Sequence, residues 1–106
     1  MNKKADFAIG QVIQHRLFNY RGVIFDVDAE FQGSEEWYEK NAHTGTPPKN
    51  EPWYHVLIDE EGRVAYVAQR NLAADHSNTP IDHPLLTNFF AGCDATGQYQ
   101  ARHALN

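Results

Sequence analysis

Two short runs, Pro52 to Ile58 and Arg63 to Gln69, dominate what this chain can fold into. Both are rich in aromatic and β-branched residues, and Asp59-Glu60-Glu61-Gly62 joins them as a hairpin connection in which Gly62 can take the left-handed conformation. An extended chain turns alternate side chains to opposite faces, so Trp53, His55 and Leu57 share one face and Tyr54, Val56 and Ile58 the other. Both faces carry bulky groups. One side must therefore pack into the interior, and the other must lie under a second segment or a neighbouring subunit.

A second hairpin precedes it. Gln11 to Phe18 alternates with Ile13, His15 and Leu17 on one face and Val12, Gln14 and Arg16 on the other; Asn19 supplies turn chemistry, and Tyr20 to Asp28 follows as a strand. Simple alternation sends Val23, Phe25 and Val27 to the core and turns Ile24, Asp26 and Asp28 outward, with Gly22 marking a bulge or a close backbone approach. Residues 29–51 form a long insertion. Within it Ser34 caps a short helix, Glu35 and Glu36 favour its positive end, Trp37 and Tyr38 give it something to bury, and 44–50 read as loop. Arg70-Asn71-Leu72 ends the sheet or forms a short last strand.

Further on, Leu85, Leu86, Phe89 and Phe90 make an apolar stripe that predicts a helix over 83–91, capped by Asp82 or His83 and ended by Gly92. Residues 93–106 show no period and are expected to fray as a flexible tail. The fold expected is mostly β: a small, strongly bent antiparallel barrel over 1–75, with a 76–106 extension holding the short helix.

At 106 residues the chain holds one thin-cored domain. One cysteine, Cys93, excludes an internal disulfide framework and a Cys-based zinc site. No apolar run approaches the roughly 20 residues that cross a bilayer, and the opening Met-Asn-Lys-Lys-Ala-Asp-Phe is basic without the apolar stretch of a signal peptide. A cytoplasmic location is the expectation. The net charge of −5 argues against coating DNA by bulk attraction, yet it divides into +3 over residues 1–21 and −8 over the rest. Asp26, Asp28, Glu30, Glu35, Glu36 and Glu39 precede any further basic residue, and such a run reads as a solvated face or a docking surface for a basic partner.

Chemistry-bearing groupings are sparse. The six histidines include no pair at zinc-ligand spacing; His15, His55 and Asp26 form a metal- or ligand-binding set only if the sheet brings them together. Neither serine, Ser34 nor Ser77, sits in a nucleophile motif, Cys93 has no orienting partner, and the seven glycines form no phosphate loop. The expectation is a protein that is not an enzyme and needs no metal or cofactor. Basic contacts to DNA would come from Lys3, Lys4, Arg16, Arg21 and Arg70. A partner-binding surface would draw on Trp37, Tyr38, Tyr54, Leu86, Phe89 and Phe90, which read either as core or as an apolar patch that an oligomer covers.

The segments Ile9-Gly10-Gln11-Val12-Ile13-Gln14-His15-Arg16, Tyr20-Arg21-Gly22-Val23-Ile24-Phe25-Asp26-Val27-Asp28, Pro52-Trp53-Tyr54-His55-Val56-Leu57 and Tyr66-Val67-Ala68-Gln69-Arg70-Asn71-Leu72 together resemble the YccV-like family, to which heat-shock proteins of the HspQ kind belong. The resemblance covers about residues 7–73. It implies an SH3-like barrel in a cytoplasmic, non-enzymatic protein that binds hemimethylated DNA. It further implies a stress role as adaptor or specificity factor for the ATP-dependent protease Lon and its client proteins, an influence on replication-initiator turnover, and a homotrimer.

Overall fold

A computed structural model of the chain describes residues 4–41 and 47–102. Five strands form one antiparallel sheet: β1 (Val12–His15), β2 (Arg21–Asp28), β3 (Trp53–Ile58), β4 (Val64–Ala68) and β5 (Leu72–Ala74), in the order β4-β3-β2-β1-β5. The two edge strands, β4 and β5, are consecutive in the chain and joined by a single 3₁₀ turn, Gln69–Asn71. Four residue steps reach at most about 14 Å, so the sheet must curl until its edges nearly meet. Its ladder is open, but its shape is the bent barrel expected from the strand pattern. Gly62 takes the left-handed conformation in the β3–β4 turn (φ +67°).

The curl encloses Ile13, Ile24, Tyr54, Val56, Val67 and Leu72. Ile24, expected to face outward, is fully buried there. The cause is that both faces of the sheet are covered: regular alternation puts Val23 and Phe25 on the outer face and Ile24, opposite Val56, on the inner one. A bulge between Ile24 and Asp26, with Phe25 as the extra residue, then reverses the phase and returns Val27 to the face of Ile24. Gly22 is no bulge but a close approach, since a Cβ there would lie 2.4 Å from Val56 Cγ1 and 2.6 Å from the Leu57 carbonyl oxygen.

The outer face has two covers. The insertion folds α1 (Glu35–Asn41), whose Ser34 Oγ accepts the Trp37 amide at 3.0 Å as an N-cap, and it lays Phe31, Trp37 and Tyr38 over Trp53. Over the other half lie Ile81, Phe90 and Tyr99, packed on Val23 and Leu57. The expected 83–91 helix shrinks to α2 (Leu86–Phe89), and Gly92 belongs to β6 (Phe90–Cys93) rather than to a helix end. The helix starts from Leu85 without a side-chain cap, so neither Asp82 nor His83 is its N-cap; His83 Nδ1 instead accepts the Leu85 amide within the preceding turn. The expectation of a frayed tail over 93–106 fails as far as 102, because β6 pairs with β7 (Tyr99–Ala101); 103–106 lie outside the described residues. No alternation announces this hairpin. Its turn is instead organised by Asp94, whose Oδ1 accepts from the Thr96 and Gln98 amides, and Tyr99 locks it to the sheet. The Tyr99 amide donates to the Gly10 carbonyl at 2.8 Å, and its hydroxyl accepts the Ile81 amide at 2.9 Å. Among the described residues, no helix is long and apolar enough to cross a membrane.

The β1–β2 turn is rigid for a specific reason. The His15 carbonyl accepts the Asn19 amide at 2.9 Å, Asn19 is left-handed (φ +63°), and His15 Nδ1 accepts both the Leu17 and Phe18 amides at 3.1 Å. Double acceptance requires a neutral ring, and burial lowers the His15 pKa below its ordinary 6.5.

Two measurements follow from this packing. A chain ending at residue 93 should lose at least about 3 kcal/mol of unfolding free energy with the Tyr99 ring; Tyr99→Phe, which orphans the Ile81 amide, should lose about 1–2 kcal/mol in urea titration. An unfolded His15 takes up a proton near pH 6.5 that the folded ring refuses until lower pH, so its contribution is intact above 6.5 and fades as pH falls through the folded value. His15→Asn keeps a turn acceptor without a titrating ring. Its stability should decline less than that of the parent between pH 7.5 and 5.

Candidate nucleic-acid interface

Positive charge meets the fold at one corner. Arg16 begins the β1–β2 turn, and its amide donates to the Asn71 carbonyl at 2.8 Å, tying that turn to the 3₁₀ turn that carries Arg70. The N-terminal segment joins them: Gln69 Nε2 donates to the Lys4 carbonyl at 3.1 Å, and Gln69 Oε1 accepts the Asp6 amide at 2.8 Å. Arg16 and Arg70 thus line a common groove of about 380 Å³, floored in part by Phe7 and Leu72. Arg70 Nε contacts the buried Glu51 at 3.3 Å, yet 46% of the Arg70 side chain stays exposed. Arg16 and Lys4 are exposed and, among the described residues, form no ion pair.

Arg21, also singled out from the sequence, stands apart. Arg21 is held by the fold: Nη1 lies 2.8 Å from Asp59, Nε 3.1 Å from Asp75, and Nη2 donates to the Thr79 carbonyl at 2.6 Å. That guanidinium pins the segment after β5 to the β3–β4 turn and has little left for a phosphate. The same contacts, together with Ser77, hold the Asp75 carboxyl below its ordinary pKa against the opposing effect of burial. Lys3 lies outside the described residues.

The expected partner surface divides likewise. Tyr54 is fully buried, with its hydroxyl bonded to Gln69 and accepting the Phe7 amide, and Phe90 is buried under the C-terminal cover. Neither is a docking residue; both are core, because the sheet is covered on two faces. Leu86 and Phe89 are half-buried against that same cover, so most of the apolar stripe caps its own sheet. Trp37 and Tyr38 are half-buried in the aromatic cluster with Phe31, Trp53 and Tyr66. Alternation did not single out the two most exposed large apolar groups: Leu17 (51%) and Phe18 (65%), side by side at the tip next to Arg16. Their position between turn-forming Asn19 and the end of β1 was the available signal.

The set His15, His55 and Asp26 does not assemble. His15 stacks on Phe18 and Tyr20 at the turn, whereas Asp26, Asp28 and His55 meet across β2 and β3 with ligand-type atoms all within 4.8 Å of one another. Asp28 Oδ2 already accepts from Tyr66 at 2.7 Å and lies 3.0 Å from His55 Nε2, so Asp28, Tyr66 and His55 form a hydrogen-bonded network, while Asp26 Oδ1 accepts the Val27 amide. Burial and the bond to Asp28 both push the Tyr66 hydroxyl far above its ordinary pKa, which keeps it a donor.

Residues 5–97 match the model of a protein family described as YccV-like, hemimethylated DNA-binding protein YccV like. The match takes in Arg16 and Arg70 but not Lys4, and it includes the insertion and, beyond the residues that carry the sequence resemblance, the segment that covers the outer face as far as the β6–β7 turn. A bent five-stranded sheet with these four strand segments in place, matched over nearly its whole length, makes the chain a member of the YccV-like family of hemimethylated DNA-binding domains.

Proposed function

We propose that this chain is a cytoplasmic, non-enzymatic protein that binds hemimethylated DNA through the corner formed by Lys4, Arg16 and Arg70. The observation that carries the reading is the shared groove of Arg16 and Arg70, with Lys4 clipped beside it through Gln69. Asp6 and Glu51 line the same groove and offset part of its charge, so the three cations contact only a few phosphates and binding is local. Affinity is then modest and strongly dependent on salt. Arg21 takes no part, since its donors serve Asp59, Asp75 and Thr79.

A second reading is favoured by the exposed acidic side chains Glu35, Glu36 and Glu39 on α1, which repel phosphate and suit a basic protein surface. On it the chain serves as an adaptor or specificity factor for an ATP-dependent protease of the Lon kind, acts in stress and replication-initiator turnover, and works as a homotrimer.

Fluorescence anisotropy with hemimethylated and unmethylated duplexes at several salt concentrations tests the first reading. Arg16→Ala and Arg70→Ala should each weaken binding to every duplex and lower the slope of log K against log salt by about one. Equal, salt-insensitive binding by parent and variants would remove the corner from the function. For the second, adding the purified chain to the protease and a client should accelerate client loss, and charge reversal at Glu35, Glu36 and Glu39 should abolish the effect.

A further inference from the structure

Leu17 and Phe18 stand out because the fold gives them nothing to cover. Each large apolar side chain left in water forgoes about 1.5–3 kcal/mol of burial, and a four-residue turn can be built from polar residues at no such loss. Nor is the tip loose. His15 Nδ1 holds both amides, Asn19 closes the turn, and the Phe18 ring lies on the His15 ring with centroids 4.6 Å apart and planes 20° apart. The turn backbone and the Phe18 ring are therefore presented preformed, so little of that ring's freedom remains to be lost on contact. The apolar pair's immediate neighbour in the chain is Arg16, and Arg16 is bonded to the turn that carries Arg70.

We propose that the Leu17–Phe18 tip is the element that detects the methyl mark, entering the major groove of the duplex while Arg16, Arg70 and Lys4 hold the flanking phosphates. This rests on the DNA-binding reading and adds to it the group that reads. A methyl on adenine N6 or cytosine C5 lies in the major groove, where it offers no hydrogen bond; only an apolar contact distinguishes it from hydrogen. That groove is about 12 Å wide, and because β1 and β2 are paired on their outer sides with β5 and β3, the Arg16–Asn19 turn alone enters it. Charge selects the occupant. A two-fold contact with a second copy would bring a like cationic corner against the first, whereas a duplex brings phosphates to the cations beside the tip; a heterologous contact between copies is the outcome that a molar-mass measurement detects.

The test uses the full chain and three duplexes of one sequence: unmethylated, singly methylated at adenine N6, and singly methylated at cytosine C5. The parent should bind one of the methylated duplexes about fourfold more tightly than the unmethylated one, the worth of one buried methyl. Phe18→Ser and Leu17→Ser should bring that ratio to near one with the salt slope unchanged, while Phe18→Leu should retain it. Arg16→Ala should weaken all three duplexes together and leave the ratio standing. Circular dichroism on each variant confirms the fold, which these exposed positions leave intact. Serine variants that keep the ratio overturn the proposal, and so does a change in molar mass by light scattering with the ratio kept, which would make the tip a contact between copies. Parent binding without discrimination overturns the proposal alone. No binding to any duplex overturns both it and the DNA reading.

Discussion

β3 is buried along both faces, and most of the architecture answers that one demand. Trp53, Tyr54, Val56 and Leu57 are all at 2% exposure or less, so a single sheet face cannot house them. The inner side chains drive the curl that brings β4 and β5 within a three-residue turn of each other. The outer ones need covers from elsewhere in the chain. Phe31 and α1 close over Trp53, and Ile81, Phe90 and Tyr99 close over Leu57. The insertion and the C-terminal segment are thus halves of one lid rather than additions to a finished barrel. A small domain buries too little surface to leave either half off.

Covering the outer face also decides where function can sit. With Tyr54, Phe90 and most of the apolar stripe engaged in the core, the two most exposed large apolar side chains among the described residues, Leu17 and Phe18, sit together at the β1–β2 tip. The same curl that joins β4 to β5 sets Arg70 beside Arg16 and clips Lys4 against Gln69. A chain with an acidic total thereby gains a cationic corner with an apolar point. Arg21 shows the contrary fate of a cation: its fork is filled by Asp59, Asp75 and the Thr79 carbonyl, and it works as a structural pin.

Much of the sheet was legible beforehand, and the exceptions have specific causes. The hairpins, the Ser34 cap and the two-sided burial around Trp53 follow from local chemistry: turn residues, a hydroxyl at the helix start, and bulky groups on alternate positions. Ile24 is buried against simple alternation because both sheet faces are covered, and Val27 parts from Val23 and Phe25 because a bulge shifts the two-residue phase without altering composition. The β6–β7 hairpin was missed because Ala91, Gly92 and Cys93 carry no strand signal; its existence depends on Tyr99 finding the Gly10 carbonyl and the Ile81 amide, long-range partners in the chain. Of the candidate site, the basic residues were visible as residue types, but their sorting into free and pinned was not.

Period, turn chemistry and charge asymmetry by themselves determined that this chain is a small antiparallel β domain with a basic start and an acidic remainder, since each depends on near neighbours. Tertiary structure alone decided which side chains remain available. Arg16 and Arg21 are five positions apart and alike in charge, yet one is exposed and the other is locked between two carboxylates. Phe18 and Phe90 are the same residue, one 65% exposed and one buried. Availability is a property of what folds back over a side chain, and those covering groups come from segments tens of residues away.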